Sequence, residues 1–255
     1  MPPPPRRNFI SQLREKSPAP LDKPGCGGLH WRVEFTDRPA MSLPDPSFLL
    51  ARAPVVPVVT VPSVAAGVKL ARALVDGGLP LIEVTLRTEP ALDAIAAIAA
   101  EVPDAIVGAG TVTRPELIAA SIGAGARFLV SPGCPPALAE ALAEAPVPVM
   151  PGCATATEAM TLHAMGFPVL KLFPAESVGG VGLIKSLAGP LPDLRFCPTG
   201  GIGPSNVGSY LAQPNILAVG GSWVCPSEAV AMGDWEQIAA LAKAAAKLHR
   251  AAFPM

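Results

Sequence analysis

From residue 54 onward the chain alternates between two kinds of segment. Short runs rich in Val, Ile and Leu occupy residues 54–61, 81–86, 105–112, 127–131, 147–150, 168–173, 195–198 and 216–220, and they recur every 20 to 27 residues. Each run is short and mostly apolar, the pattern of a strand buried on both faces in a parallel sheet. Between them lie Ala/Leu-rich stretches with helical spacing, among them 64–75, 90–100, 115–122 and 136–144. Pro90, Pro115 and Pro136 stand where first helical turns accept proline, and Gly77, Gly78 and Gly166 stand where helices end. A last helical pattern over 234–250 finishes with Lys247, His249 and Arg250, the charge sign that a helix C-terminus favours. Eight strand–helix units in about 200 residues predict an α/β fold of the (β/α)8 TIM-barrel type, as a single domain. A doubly wound open sheet is the rival, but it usually needs fewer strands and a switch point.

The first forty residues break this rhythm. They hold eight prolines, including Pro2 to Pro5, with seven basic and four acidic residues, and show neither helical nor strand periodicity. A flexible Pro-rich tail over 1–45 is expected, with the barrel domain over 46–255. Arg6-Arg7-Asn8-Phe9-Ile10 faintly resembles a twin-arginine export signal, but polar, Pro-rich sequence follows where an apolar run is needed. Export is therefore rejected, and Met41 is an alternative start for the ordered region.

Composition narrows the chemistry. Of 255 residues 50% are hydrophobic, enough for a real core, and 19 basic against 20 acidic residues leave a formal charge of -1. No general basic surface exists to hold nucleic acid by counterion release, and no apolar run reaches the roughly 18 residues of a membrane helix. The cysteines, Cys26, Cys134, Cys153, Cys197 and Cys225, are odd in number and widely spaced, which suits reduced thiols in a cytoplasm. His30, His163 and His249 are far apart, so no metal site is expected. Neither a GxSxG nor a P-loop pattern occurs, which leaves Lys, Arg, Glu and Thr to carry any chemistry.

Active sites of such barrels lie where strands end and βα loops begin. Those ends supply Glu83 and Arg87, Thr111, Ser131 to Gly133, Gly152, Lys171, Thr199 to Gly201, and Gly220 to Ser222. Of five lysines after residue 50, Lys69, Lys185, Lys243 and Lys247 fall in helical patterns and Lys171 alone in a strand. Lysine is rarely buried without a purpose, and an amine taken out of water yields the free base that a Schiff-base nucleophile requires. A structural ion pair between Lys171 and Glu83 is the plainer alternative. Glu83 and Arg87 share strand parity: the carboxylate can shuttle protons and the guanidinium can hold a substrate carboxylate, unless the two simply neutralise each other. Gly200-Gly201 and Gly220-Gly221-Ser222 end adjacent units, where barrels often bind phosphate on backbone N–H groups; tight turns are the alternative. Thr111 and Thr199 can donate hydroxyl bonds or merely fill barrel layers. His163 and Cys134 read as structural.

Six segments together carry a resemblance: Glu83-Val84-Thr85-Leu86-Arg87-Thr88, Gly108-Ala109-Gly110-Thr111-Val112, Ser131-Pro132-Gly133, Lys171-Leu172-Phe173-Pro174-Ala175-Glu176, Cys197-Pro198-Thr199-Gly200-Gly201-Ile202 and Gly220-Gly221-Ser222-Trp223. In this order, across about residues 50 to 245, they resemble the 2-keto-3-deoxy-6-phosphogluconate aldolase family, which also acts on 4-hydroxy-2-oxoglutarate. The resemblance implies a cofactor-free class I aldolase of the Entner–Doudoroff pathway, a cytoplasmic homotrimer that yields pyruvate and glyceraldehyde 3-phosphate, or glyoxylate from the smaller substrate. It implies Lys171 as Schiff-base lysine, Glu83 as acid and base, and Arg87 and Thr111 on the pyruvate carboxylate. Pro132, Gly133, Phe173 and Thr199 would line the pyruvate pocket, with Gly200, Gly201, Gly221 and Ser222 on the phosphate. Phe173 is indicated by the resemblance alone. Cys134 departs from the bulkier apolar residue usual after Ser-Pro-Gly, and Cys153 sits in the next Pro-Gly turn. The expected partner is a phosphorylated keto acid, with neither nucleic acid nor membrane. The competing readings are a phosphate-binding barrel isomerase or epimerase without a Schiff base, and a binder that lost turnover.

Overall fold

The computed structural model describes residues 43–249. The tail expected over 1–45 lies outside them except at positions 43–45, as do the Arg6-Arg7 segment, Cys26, His30, Met41 and Arg250. A short helix α1 (Ser47–Leu50) leads into β1 (Val55–Val59), α2 (Val64–Asp76), β2 (Leu81–Thr85), α3 (Ala91–Glu101), β3 (Ile106–Gly110) and α4 (Glu116–Gly123). There follow β4 (Leu129–Val130), α5 (Pro136–Ala143), β5 (Val149–Met150), β6 (Gly152–Cys153), α6 (Ala156–Ala164) and β7 (Val169–Leu172). After a 3-10 turn (Glu176–Val178) come α7 (Gly180–Ala188), β8 (Arg195–Phe196), α8 (Val207–Leu211), β9 (Val219–Gly221), α9 (Ser227–Met232) and α10 (Trp235–Ala246).

All strand pairs are parallel. Six strands form one curled sheet in the order β5-β4-β3-β2-β1-β9, and three form another in the order β6-β7-β8. The fifth apolar run, read over 147–150, pairs as β5; Pro151 has no N–H to give the ladder, and pairing resumes beyond the run as β6, with the Pro151 carbonyl accepting from Lys171 N at 3.0 Å. Isolated parallel bridges also join Phe196 to Ile216 and Thr199 to Gly220. The strand expected over 216–220 is displaced to Val219–Gly221, and that expected over 195–198 stops at Phe196. The last helix stops at Ala246 rather than 250. Its end tightens into i→i−3 bonds from Lys247 to Ala244 and Leu248 to Ala245.

Strand parity sorts the core into two layers. Ile82 and Val84, Val107 and Ala109, and Leu170 and Leu172 face the helices as part of the larger cluster. Leu81, Ile106, Phe128, Val130, Met150, Val169 and Cys197 pack with Leu49 and Leu50 of α1 in a second cluster on the concave side. Glu83 shares the parity of Leu81, and Lys171 that of Val169, so both side chains enter the concave layer. Among the described residues, no helix is long and apolar enough to cross a membrane.

Candidate active site

Two strands on different sheets bring the principal groups together. Lys171 Nζ donates to Glu83 Oε1 at 2.9 Å and to Oε2 at 3.3 Å, with the two side chains only 6% and 4% exposed. Their sequence separation is 88 residues, so only the fold creates the pair. Burying these charges is tolerable because each satisfies the other; removing one partner from such a pair costs about 3–5 kcal/mol. The carboxylate fits because residue 110 is glycine: a Cβ there would collide with the Glu83 side chain. The Phe173 ring lies 5.5 Å from Lys171 Nζ, within cation–π range of the ammonium form. Beneath them, burial pushes the Cys197 thiol up to about 12, with Lys171 pulling down and Glu83 pushing up.

Arg87 lies beyond β2 and is exposed at the rim. Its Nε donates to Thr111 Oγ1 at 3.3 Å. Glu83 has therefore taken Lys171 as its partner and Arg87 has taken Thr111, rather than pairing with each other. Thr111 has φ 62°, a positive value otherwise confined to glycines among the described residues. A β-branched residue resists that conformation, at a strain of about 1–3 kcal/mol, which directs attention to what its hydroxyl holds.

The other candidates ring this centre. Buried Ser131 accepts from Gly152 N at 3.0 Å through its hydroxyl, and Gly152 faces Lys171 in the ladder. A Cβ on Gly152 would strike the Pro132 carbonyl, so Pro132 and exposed Gly133 fold over that strand end. Thr199 is buried and bridges to Gly220. Gly200 and Gly201 have φ +102° and +76°, left-handed conformations that suit glycine. Gly200 lies under the Phe173–Pro174 segment, where a Cβ would stand 3.4 Å from the Phe173 ring. Gly221 is buried and Ser222 exposed, and Ser222 offers its carbonyl to Cys225 N at 3.0 Å. Glu83, Lys171, Phe173 and Gly200 thus form one contiguous set, and Arg87 and Thr111 a pair at the rim. His163 is exposed on the last turn of α6, and Cys134 is half-buried after the Pro132–Gly133 turn.

Two residues escaped the strand-end reading. Cys197 looks like core filler, yet it lies close enough to feel both charges. Tyr210 on α8 is fully buried, and its phenol donates to Glu176 Oε1. Burial and that carboxylate push its hydroxyl well above the usual tyrosine range. Its one available signal was compositional, since it is the single tyrosine in the chain and a buried phenol needs a partner.

Known proteins resemble this chain over most of its length. The family described as "Aldolase: KDPG and KHG aldolase" matches residues 48–241. A 2-dehydro-3-deoxy-phosphogluconate aldolase from Pseudoalteromonas atlantica is 49% identical over 216 residues, spanning 85% of this chain and 95% of that protein. The KHG/KDPG aldolase of Escherichia coli is 48% identical across 77% of this chain and 92% of its own length. A crystal structure of KDPG aldolase from Legionella pneumophila, with pyruvate captured at low pH as a covalent carbinolamine intermediate, superposes with a TM-score of 0.78 at 39% identity, covering 80% of this chain and 98% of that one. With its family profile and its relatives in accord over nearly all the described residues, this chain belongs to the KDPG and KHG aldolase family.

Proposed function

We propose that Lys171 is the Schiff-base nucleophile of a class I aldolase that cleaves 2-keto-3-deoxy-6-phosphogluconate to pyruvate and glyceraldehyde 3-phosphate. The observation that carries this reading is the buried amine 2.9 Å from the Glu83 carboxylate, on the strand parity that faces the concave layer. In the reaction Lys171 Nζ attacks the C2 ketone, and the carbinolamine loses water to form a protonated imine. That cation draws in the electron pair of the C3–C4 bond. Glu83 accepts the C4 hydroxyl proton as the aldehyde departs, then can return a proton to C3 of the enamine. Hydrolysis of the resulting imine releases pyruvate and restores the amine.

Arg87 and Thr111 are assigned to the pyruvate carboxylate, since the guanidinium and hydroxyl already converge at the rim. Pro132, Gly133, Phe173 and Thr199 are assigned to the pyruvate pocket. Gly200, Gly201, Gly221 and Ser222 are assigned to the phosphate, as backbone donors at the ends of adjacent units. The name of the Escherichia coli relative supports 4-hydroxy-2-oxoglutarate as a second substrate. No observation favours the isomerase, epimerase or binder readings. Closure of the strands into one eightfold barrel belongs to the same proposal, supported by the bridges from Phe196 to Ile216 and Thr199 to Gly220 and by the continuous chain through Pro151. So does a cytoplasmic homotrimer, supported by family membership; a solution mass of one 26.0 kDa chain would remove the trimer.

The test is to incubate the protein with pyruvate, reduce with borohydride, and weigh the intact protein and its peptides. A stable adduct on the Lys171 peptide is expected. Absence of an adduct from the folded protein, or an adduct on another lysine that persists in Lys171→Met, would refute the assignment.

A further inference from the structure

The loop carrying Gly200 and Gly201 is gripped from two sides, and one grip uses groups that take no part in the chemistry above. On the strand side, Ala175 N donates to the Thr199 carbonyl at 2.8 Å and Glu176 N to the Gly200 carbonyl at 3.1 Å. The stem of Glu176 then lies against the loop, for a Cβ on Gly201 would stand 2.6 Å from both its Cβ and its Cγ. On the helix side, Asn206 Nδ2 donates to the Gly201 carbonyl at 2.9 Å, and Asn206 Oδ1 accepts from Gly203 N at 2.8 Å. One helical turn on, the Tyr210 phenol donates to Glu176 Oε1. Gly180 leaves just enough room at that junction: a Cβ there would be 3.1 Å from Glu176 Oε1 and 3.2 Å from the Tyr210 oxygen. A buried hydroxyl donating to a carboxylate is a directional tie as well as a contact.

The tie matters because of what the loop is assigned to bind. A carboxylate beside backbone donors meant for a phosphate repels the dianion they are there to attract. We propose that Tyr210 is a positioning residue for phosphate recognition: its hydroxyl holds the Glu176 carboxylate back against Gly180, away from the phosphate on Gly200 and Gly201. The same contact keeps the Glu176 stem packed on Gly201 and so steadies the loop's left-handed turn. This rests on the assignment of the glycine loop to phosphate, and the measurement separates the two.

Steady-state kinetics would be measured on the phosphorylated keto acid and on the same acid lacking its phosphate. For the wild type, the loop assignment requires a KM at least about tenfold lower for the phosphorylated substrate; equal values would overturn that assignment and this proposal with it. Tyr210→Phe keeps the ring and removes one oxygen. Its KM for the phosphorylated substrate should rise about tenfold, with kcat within about twofold, while kinetics on the unphosphorylated acid and borohydride trapping of pyruvate stay unchanged. Glu176→Gln keeps an acceptor for the phenol and loses the charge, so its KM should stay within about twofold of wild type; Glu176 is exposed, and folding is not at risk. Equal losses on both substrates, or no change on either, would overturn the positioning role while leaving the loop assignment intact.

Discussion

At the scale of single residues, the site depends on one carboxylate serving two masters. Glu83 neutralises Lys171 in the resting protein and, in the proposed reaction, receives the proton whose loss drives C3–C4 cleavage. Glu83→Gln keeps the shape and some hydrogen bonding but removes the base. Since positioned proton transfer contributes about 10²–10⁴-fold, kcat should fall by about that range while pyruvate trapping on Lys171 persists in part. Undiminished turnover in that variant would end the acid–base assignment. Glu83 and Lys171 were legible in the sequence because a charge inside an apolar run is costly and calls for a reason, and Arg87 because it follows Glu83 at the same strand parity. Their partners were not legible. Either of two ion pairs satisfied the linear pattern, and the fold formed the one between residues 88 apart.

At the scale of elements, helix positions were readable because they follow local rules. Ser63 caps α2 by accepting from Ala66 N at 3.2 Å, and Pro136 enters at the first turn of α5. Helix α6 opens with a capping box in which Thr155 Oγ1 accepts from Glu158 N while the Glu158 carboxylate accepts from the Thr155 and Ala154 N–H groups. Thr155→Ala should cost about 1 kcal/mol, measurable as a lower melting temperature. The box also has a pH dependence of definite sign. Backbone bonds from Ala154 and Thr155 hold the Glu158 carboxyl below its ordinary 4.5, so its contribution is whole above that pH and fades as pH falls through the lowered value. Thermal melts of wild type and Glu158→Ala should differ most near neutrality and converge in acid; a gap that widened on acidification would contradict this. Strand ends were read less well. Pairing resumes past Pro151 as β6, outside the run read over 147–150, and the run at 216–220 makes one isolated bridge, from Ile216 to Phe196, before β9 begins at Val219.

At the scale of the whole molecule, the two core layers seal most thiols away. Burial raises Cys153, Cys197 and Cys225 each to about 12 and half-buried Cys134 to about 11. The thiolate is the reactive form, so iodoacetamide at pH 8 should leave the first three unmodified in the native protein and label Cys134 slowly. Denaturant should expose all four to labelling together, because the buried three belong to cooperative core packing. Peptide mass mapping reads both results, and rapid native labelling of Cys197 would show that the floor of the site is open. The sequence by itself determined the alternation of strands and helices, the charged residues worth attention and the glycine-rich ends of the last units, since periodicity, desolvation and backbone freedom act over a few residues. Only the tertiary structure decided that Glu83 pairs with Lys171, that Thr111 bends into a left-handed turn to meet Arg87, and that Tyr210 reaches Glu176 behind the glycine loop. Those contacts join segments 24 to 88 residues apart, and which side chains meet over such distances is set by strand register and helix packing, which no local pattern encodes.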